Sequence, residues 1–171
     1  MPSEKRKSTS NNPEKEKKTK LESEDVNLDS LSPIAKPLAN KKLNKKIQKC
    51  IKRAAKTRNL KRGVKEVVKG INKGEKGIVI LAGNISPIDI LTHIPILCEE
   101  SGISYIYIPS KEELGEASGT KRPTSCMMIT QKSSKPKKGQ EDEIKDKVEE
   151  FKQLYAELQE EISDLNTKIA F

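Results

Sequence analysis

GIVILA, residues 77–82, is the stretch that governs the fold. Five apolar residues follow Gly77 without interruption, and a run of this length and composition is typical of a β-strand that is buried on both faces. Such a strand needs a packed layer on each side. The stretch therefore predicts a sheet that lies between layers of helices.

Helical and strand patterns alternate along the sequence on both sides of this stretch. Apolar residues recur at steps of three and four where helices are predicted, and Ser86-Pro87 and Ser110 add helix-start signals. The helices are expected to begin near residues 40, 63, 86 and 110, and the further strands to cover residues 58–62, 103–108 and 124–130. This order predicts an α/β fold, a three-layer α/β/α sandwich of about ninety residues.

The composition changes at both ends of this domain. The first 39 residues mix Lys, Glu, Ser, Asn and Pro with few apolar side chains, which predicts a disordered tail. The predicted organisation is a tail at residues 1–39, an α/β domain at 40–131, a polar linker at 132–140 and a helix at 141–171.

The C-terminal helix carries a heptad pattern. Its apolar residues, from Ile144 to Ile169, are spaced 4, 3, 4, 3, 4, 3 and 4 residues apart, as in a coiled-coil seam. A helix with such a seam has to bury it. The sequence leaves three surfaces open for this: the domain itself, a second copy of the chain, or a helix of another protein.

Positive charge is concentrated in one part of the chain. Residues 41–76 hold 15 Lys or Arg against Glu66 and Glu75, a net of +13, in a chain whose net charge is +9. A field of this strength over a small domain indicates a polyanionic partner. No apolar run approaches the roughly eighteen residues of a membrane helix, so we expect a protein of the cytosol or nucleus without a membrane partner.

Signs of enzymatic chemistry are lacking in the sequence. The three cysteines, Cys50, Cys98 and Cys126, have no metal-ligand spacing and are expected to be buried apolar residues. The only histidine, His93, lies among apolar neighbours, where a structural role is expected. Because no nucleophile, phosphate-loop or zinc-protease motif is found either, we expect neither an enzyme nor a cofactor or metal.

The segment from Arg58 to Lys69 is the best candidate for contact with a nucleic acid. Gly63 permits close backbone approach, and the free amides of the helix that follows favour an anion. Lys65 and Lys69 lie one turn apart on that helix, after Lys61 and Arg62. Glu66 is a carboxylate among these cations, where it either pairs with them or accepts hydrogen bonds from a base edge. Stacking is not expected, since the only aromatics between residues 40 and 131 are two tyrosines in an apolar strand.

At these residues the sequence resembles the kink-turn-binding ribosomal proteins of the L-seven-Ae type. The resemblance covers about residues 42–131 and is carried by RGVKEVVKGINKGE, GIVILAG, HIPILCEESGISYIYIPSKEELG and GTKRPTSCMMI, in this order. It implies a four-stranded mixed sheet between helices. Within the family, KEVVKGINKGEKG and GTKRP are most similar to the branch found in H/ACA ribonucleoproteins.

The resemblance also implies which residues contact RNA. The family motif matches at Gly63, Glu66 and Lys69, but Lys65 stands where kink-turn readers have asparagine. A second group, which holds a flipped-out nucleotide, is implied at Ser86, Ile90, Lys111 and Arg122, with Thr120 and Lys121 in the same loop. Ser86 replaces an acid of the kink-turn readers. Both departures remove base-reading groups, so we expect phosphate contacts without sequence selectivity.

The resemblance implies an RNA-binding core subunit of an H/ACA small nucleolar particle, in the nucleus and nucleolus. Its expected partners are the H/ACA guide RNA, the pseudouridine synthase subunit and the small bridging subunit. Two alternatives stay open. One is a kink-turn-binding subunit of a box C/D, spliceosomal or ribosomal particle, and the other is an adaptor that acts mainly through its C-terminal helix.

Overall fold

A computed structural model of the protein describes residues 31–131 and 141–168, and the side chains of the latter segment from residue 148 onward. Five α-helices and four β-strands are present in these ranges, with one 3-10 turn. In chain order they are α1 (Lys41–Lys56), β1 (Leu60–Arg62), α2 (Val64–Asn72), β2 (Gly77–Ala82), the 3-10 turn (Ile88–Ile90), α3 (His93–Glu100), β3 (Ser104–Ile108), α4 (Lys111–Ala117), β4 (Cys126–Thr130) and α5 (Glu141–Thr167).

The four strands form one mixed sheet in the order β1-β4-β2-β3. The strand β4 is antiparallel to both β1 and β2, and β3 is parallel to β2. The strands β1, β2 and β3 therefore run in the same direction. This arrangement confirms the predicted α/β sandwich with a four-stranded mixed sheet.

The strand β2 is buried along its whole length, as its sequence predicts. Ile78 and Ile80 pack with α1, α4 and α5 on one face of the sheet. Val79 and Leu81 pack with α2 and α3 on the other face. The alternation of side chains along one apolar strand thus holds two separate layers of helices on the sheet.

The C-terminal helix α5 belongs to this fold. Phe151, Tyr155, Leu158 and Ile162 of its heptad seam are buried in the same core as the apolar face of α1. Arg53 of α1 also pairs with Glu150 at 3.1 Å, and Lys46 pairs with Glu161. Of the three surfaces that the sequence left open, the chain uses its own domain. The prediction that the seam along 144–169 binds a partner helix or a second copy is therefore wrong for residues 151–162. The side chain of Ile144 and residue 169 lie outside the described residues.

The outer edge of β3 is covered by both ends of the described chain. Residues 37–39 run alongside it, with the amide of Tyr107 donating to Pro37 O at 2.9 Å and the amide of Ala39 donating to Tyr107 O at 2.8 Å. With its amide oriented to match, Asn166 of α5 donates to Tyr105 O at 3.1 Å and accepts from Tyr105 N at 3.3 Å. The unpaired backbone groups of an edge strand are satisfied in this way.

Two sequence predictions need correction. Residues 31–39 were expected to belong to a disordered tail, but Ala35 and Ala39 are buried and the segment is bound to β3; residues 1–30 lie outside the described residues. A helix was expected from Ser86-Pro87, but the ψ angle of Pro87 is 157°, and only a 3-10 turn precedes α3. The backbone at the expected first helical position is therefore extended.

The burial of Phe151 predicts that α5 contributes to stability. The side chain is 1% exposed, and replacing it by alanine removes its packing and leaves a cavity. We expect Phe151→Ala to lower the free energy of unfolding by about 3–5 kcal/mol, measured by denaturant unfolding of the full chain. Gln153 lies on the same turn and is exposed, so Gln153→Ala serves as the control. Equal stability of the two variants would mean that α5 is not docked as described.

Burial also predicts the reactivity of the three cysteines. Desolvation raises the pKa of each thiol, Cys50, Cys98 and Cys126, to about 12. Since the thiolate is the reactive form, all three are expected to react slowly with a thiol reagent at pH 8 in the native protein and rapidly in denaturant. Fast labelling of a single cysteine in the native state would show that its side of the sheet opens.

Candidate nucleic-acid interface

The sheet brings four loops to one edge. Because β1, β2 and β3 run in the same direction and β4 runs against them, the carboxyl ends of the first three meet the amino end of β4. The connections at this edge begin at Gly63, Gly83, Pro109 and Ser118. We call this side of the domain the loop edge. Ligands of α/β sheets commonly bind where the strands end in this way.

The turn into α2 is shaped by Gly63 and Glu66. Gly63 has a φ angle of +79°, a conformation that favours glycine, and its amide donates to Cys126 O at 2.9 Å. One carboxylate oxygen of Glu66 accepts the amide of Arg62 at 3.0 Å. The carboxylate therefore holds the backbone ahead of the helix, and its side chain stays exposed. Pairing with lysine side chains is not what positions it.

Arg62 connects two loops of the loop edge. Its guanidinium donates to the carbonyl oxygen of Ser118 at 2.6 Å, which is a charge-assisted hydrogen bond. The contact joins the start of α2 to the loop that follows α4. This contact fixes the relative positions of the two groups of residues that the resemblance implies bind RNA, around residues 63–69 and 120–122.

The loop of Thr120, Lys121 and Arg122 packs tightly against α4 at Gly115. A Cβ atom at Gly115 would lie 2.3 Å from Arg122 O, so only glycine allows this approach. The hydroxyl of Thr120 donates to Gly115 O at 3.1 Å, and the loop begins at Gly119, whose φ angle is +79°. The backbone of the loop is fixed, while the side chains of Lys121 and Arg122 are exposed.

Asn84 joins the loop after β2 to the start of α4. Its side-chain oxygen Oδ1 accepts the backbone amide of Lys111 at 2.9 Å, and its side-chain Nδ2 donates to the Glu112 carboxylate at 3.3 Å. The Ser110 hydroxyl also donates to Glu112, at 2.8 Å, and this hydrogen bond is the main reason why the pKa of Glu112 is lowered. The Ser110 oxygen in turn accepts the amide of Glu113 at 3.4 Å, which confirms the predicted helix cap.

Eleven of the twelve residues predicted from the sequence lie on the loop edge or on the first two turns of α2. Exposed side chains among them are those of Arg62, Lys65, Glu66, Lys69, Ser86, Ile90, Lys121 and Arg122, while Gly63, Lys111 and Thr120 are half-buried. Lys61 is the exception. Its ammonium pairs with Glu75 at 2.6 Å, in the turn that leads into β2 at the opposite edge. The ammonium of Lys61 is therefore directed towards the opposite edge of the sheet, and its contact with RNA stays a prediction.

Three residues that shape this surface escaped the sequence analysis. Asn84 joins the loop after β2 to the start of α4. Gly115 leaves room for the loop that contains Arg122, and the carbonyl oxygen of Ser118 accepts a hydrogen bond from Arg62. An asparagine directly after a strand is a recognisable turn signal. A glycine inside a short helix indicates close packing only once the packed segment is known.

Two further findings concern other kinds of site. No group of three or more His, Cys, Asp or Glu side chains in the described ranges has an arrangement that could hold a metal ion. Over the same residues, no helix combines the length and the apolar composition needed to cross a bilayer.

Comparison with known proteins identifies relatives of this arrangement. The chain is 55% identical over 93 residues to the H/ACA ribonucleoprotein complex subunit nhp2 of Schizosaccharomyces pombe, and 50% identical over 93 residues to the subunit NHP2 of Saccharomyces cerevisiae. It is 47% identical over 97 residues to an H/ACA ribonucleoprotein complex subunit 2-like protein of Arabidopsis thaliana. These matches cover 54–57% of this chain and 56–59% of the relatives, so the chain spans little more than half the length of each relative.

A solved structure also resembles the chain. A 15.5kD RNA binding protein of Giardia lamblia superposes with a TM-score of 0.57 at 31% sequence identity, covering 75% of this chain and 99% of that one. The family model described as the ribosomal protein L7Ae/L30e/S12e/Gadd45 family matches residues 45–138, which is more than half of the 171 residues. The resemblance noted in the sequence is thereby confirmed: the chain belongs to the ribosomal protein L7Ae/L30e/S12e/Gadd45 family.

Proposed function

We propose that this protein is a non-catalytic RNA-binding subunit of an H/ACA ribonucleoprotein, which holds guide RNA through the loop edge. The observation that carries the proposal is the loop edge itself. Four loops, fixed to one another by backbone and side-chain hydrogen bonds, present Arg62, Lys65, Lys69, Lys121 and Arg122 to solvent on one side of the domain. The two yeast relatives described above bear the name of an H/ACA ribonucleoprotein subunit.

The chemistry of the loop edge suits a folded RNA backbone. Amides at the start of α2 and the ammonium groups of Lys65 and Lys69 favour phosphate oxygens. Such contacts do not depend on base identity. Two groups that read a base in kink-turn readers of this family are replaced here, by Lys65 and Ser86. The protein is therefore proposed to bind RNA with little selectivity of its own and to depend on the particle for placement on the correct stem.

The proposed partners follow from this role. They are the H/ACA guide RNA, the pseudouridine synthase subunit and the small bridging subunit, in a particle of the nucleus and nucleolus. The subunit positions the guide RNA, and so the substrate uridine of ribosomal or spliceosomal RNA, without taking part in the chemistry. The role of an adaptor acting through α5 is disfavoured, since the seam from Phe151 to Ile162 is already buried in the chain's own core.

Removal of two cations from α2 tests the loop edge directly. Each phosphate contact contributes about 0.7–0.9 to the slope of log K against log salt concentration. We expect Lys65→Ala with Lys69→Ala to reduce the slope by one to two and to weaken binding of an H/ACA hairpin about tenfold at 0.1 M salt. The control is Lys76→Ala with Lys152→Ala, two exposed lysines outside the loop edge. An unchanged slope in the first variant would count against the proposed site.

Selectivity distinguishes the H/ACA proposal from a kink-turn reader. The natural chain is expected to bind an H/ACA hairpin and a kink-turn RNA of matched length with affinities within a few-fold. Lys65→Asn with Ser86→Asp restores the amide and the acid that the resemblance implies for kink-turn readers. We expect this variant to bind the hairpin more weakly and to prefer the kink-turn by about 1–3 kcal/mol, the value of a good base-edge contact.

A strong preference of the natural chain for the kink-turn would show that Lys65 does not abolish base reading. The protein would then belong with kink-turn-binding subunits of box C/D, spliceosomal or ribosomal particles.

A further inference from the structure

The outer face of α1 carries a row of lysines that lies outside the loop edge. Lys41, Lys45, Lys49, Lys52 and Lys56 are all exposed and are spaced 4, 4, 3 and 4 residues apart. They lie opposite the buried face of the helix. We call these five residues the lysine stripe. At 1.5 Å per residue it is about 22 Å long, and α1 contains no acidic residue at all.

The stripe acts against the stability of its own helix. Like charges one turn apart, as in Lys41 and Lys45, repel each other and so oppose helix formation. The first turn holds Lys41 and Lys42 but no acid, and the Asn40 side chain makes no capping hydrogen bond. Cations at a helix start also oppose the helix dipole. Local rules that are broken together in this way are expected at functional sites.

Intramolecular pairing does not explain the stripe. On one flank of α1, Lys46 and Arg53 pair with acids of α5. On the other flank, Asn44 and Gln48 donate to Glu113 of α4 at 2.8 and 2.9 Å. None of the five stripe lysines takes part in an ion pair within residues 31–131 and 148–168. The acidic helix α5 thus neutralises the side of α1 and leaves its outer face positive.

The composition of the stripe selects a nucleic-acid backbone as its partner. Protein interfaces are depleted of lysine and are centred on aromatic or apolar anchors, which the stripe lacks. A helix that binds a membrane surface exposes apolar residues beside its cations, but the apolar residues of α1 are buried in the core. Regularly spaced ammonium groups without anchors match the phosphates of an RNA strand.

The stripe is continuous with the loop edge. Its first residues lie next to α4, through the contacts of Asn44 and Gln48 with Glu113. The helix α4 starts with Lys111, a residue of the loop edge. From there α1 runs to the opposite edge of the sheet, where Thr57 and Asn59 lead into β1. An RNA on the loop edge that continues past α4 meets the stripe.

We infer that the lysine stripe is a second RNA-binding surface, which contacts the backbone of the duplex beyond the segment held at the loop edge. The identity of the RNA in this inference rests on the proposed function, whereas the location of the surface follows from the structure alone. The stripe extends the bound length of RNA and makes affinity depend on stem length. It has no part in base recognition.

The test uses the full chain and two RNAs. One is an H/ACA-type hairpin that is just long enough to cover the loop edge, and the other has its duplex lengthened on both sides by about ten base pairs, roughly one turn. The stripe variant is Lys45→Gln with Lys49→Gln and Lys52→Gln. The charge-matched control is Lys76→Gln with Lys152→Gln and Lys168→Gln, and Lys65→Ala with Lys69→Ala is the loop-edge variant.

We expect the stripe variant to bind the short RNA within about twofold of the natural chain. On the long RNA its affinity should fall at least about tenfold at 0.1 M salt, with a salt slope smaller by two to three. The control should stay within about threefold on both RNAs. The melting temperature of the stripe variant should equal or exceed that of the natural chain, because repulsion within α1 is relieved, and a folding defect is thereby separated from a binding defect.

Stripe and control variants that bind the long RNA equally well would overturn the inference. It would also be overturned if the stripe variant kept its RNA affinity and lost binding to phosphatidylserine vesicles or polyglutamate. Loss of long-RNA binding in the stripe variant, with the loop-edge variant unaffected on both RNAs, would support the stripe while refuting the proposed site at the loop edge. The two proposals can therefore fail separately.

Discussion

The double-sided burial of β2 is the constraint on which the rest of the structure depends. With no polar side chain from Ile78 to Ala82, the strand cannot face water on either side. One layer is supplied by α2 and α3 and the other by α1 and α4. The second layer is completed only by α5, whose residues Phe151 to Ile162 lie outside the part of the chain matched by the family model. In this chain the helix beyond the matched segment is therefore part of the core and not a separate module.

The same constraint explains where charge accumulates. A sheet covered on both faces leaves only its edges and the outer surfaces of its helices for polar groups. At the loop edge the backbone is held by contacts among the loops themselves, such as Arg62 with Ser118 and Asn84 with Lys111. Because these contacts fix the backbone, the repulsion between neighbouring cations such as Lys121 and Arg122 does not push the loops apart. A surface whose backbone is already held in place loses little conformational entropy on binding a ligand.

Local sequence patterns predict most of the helices and strands, but they do not predict the contacts between distant segments. The strand β2 follows from an uninterrupted apolar run, and the buried face of α1 follows from apolar residues at steps of three and four. Gly115 and Ser118 acquire their roles from a loop that folds back onto α4, and no local pattern encodes that approach. For α5 the seam was visible but its partner was not, since a heptad shows that a face must be buried and not what buries it. The pairing of Lys61 was not predicted for a related reason: its partner Glu75 lies beyond α2 in the sequence and is not one of its neighbours on β1.

The distribution of charge between α1 and α5 links stability to binding. A helix with eight cations and no acid, Lys41–Lys56, would repel itself if it stood alone. Packing on the core fixes its inner face, and Glu150 and Glu161 of α5 pair with Arg53 and Lys46 at its side. Each of these pairs is partly exposed and individually weak, but together they remove charge where it would oppose docking of α5. The charge that remains is exposed to solvent, where dissolved salt or a bound anion reduces its repulsion. Stability is thus supplied by the inner and lateral faces of α1, and the outer face keeps its positive potential.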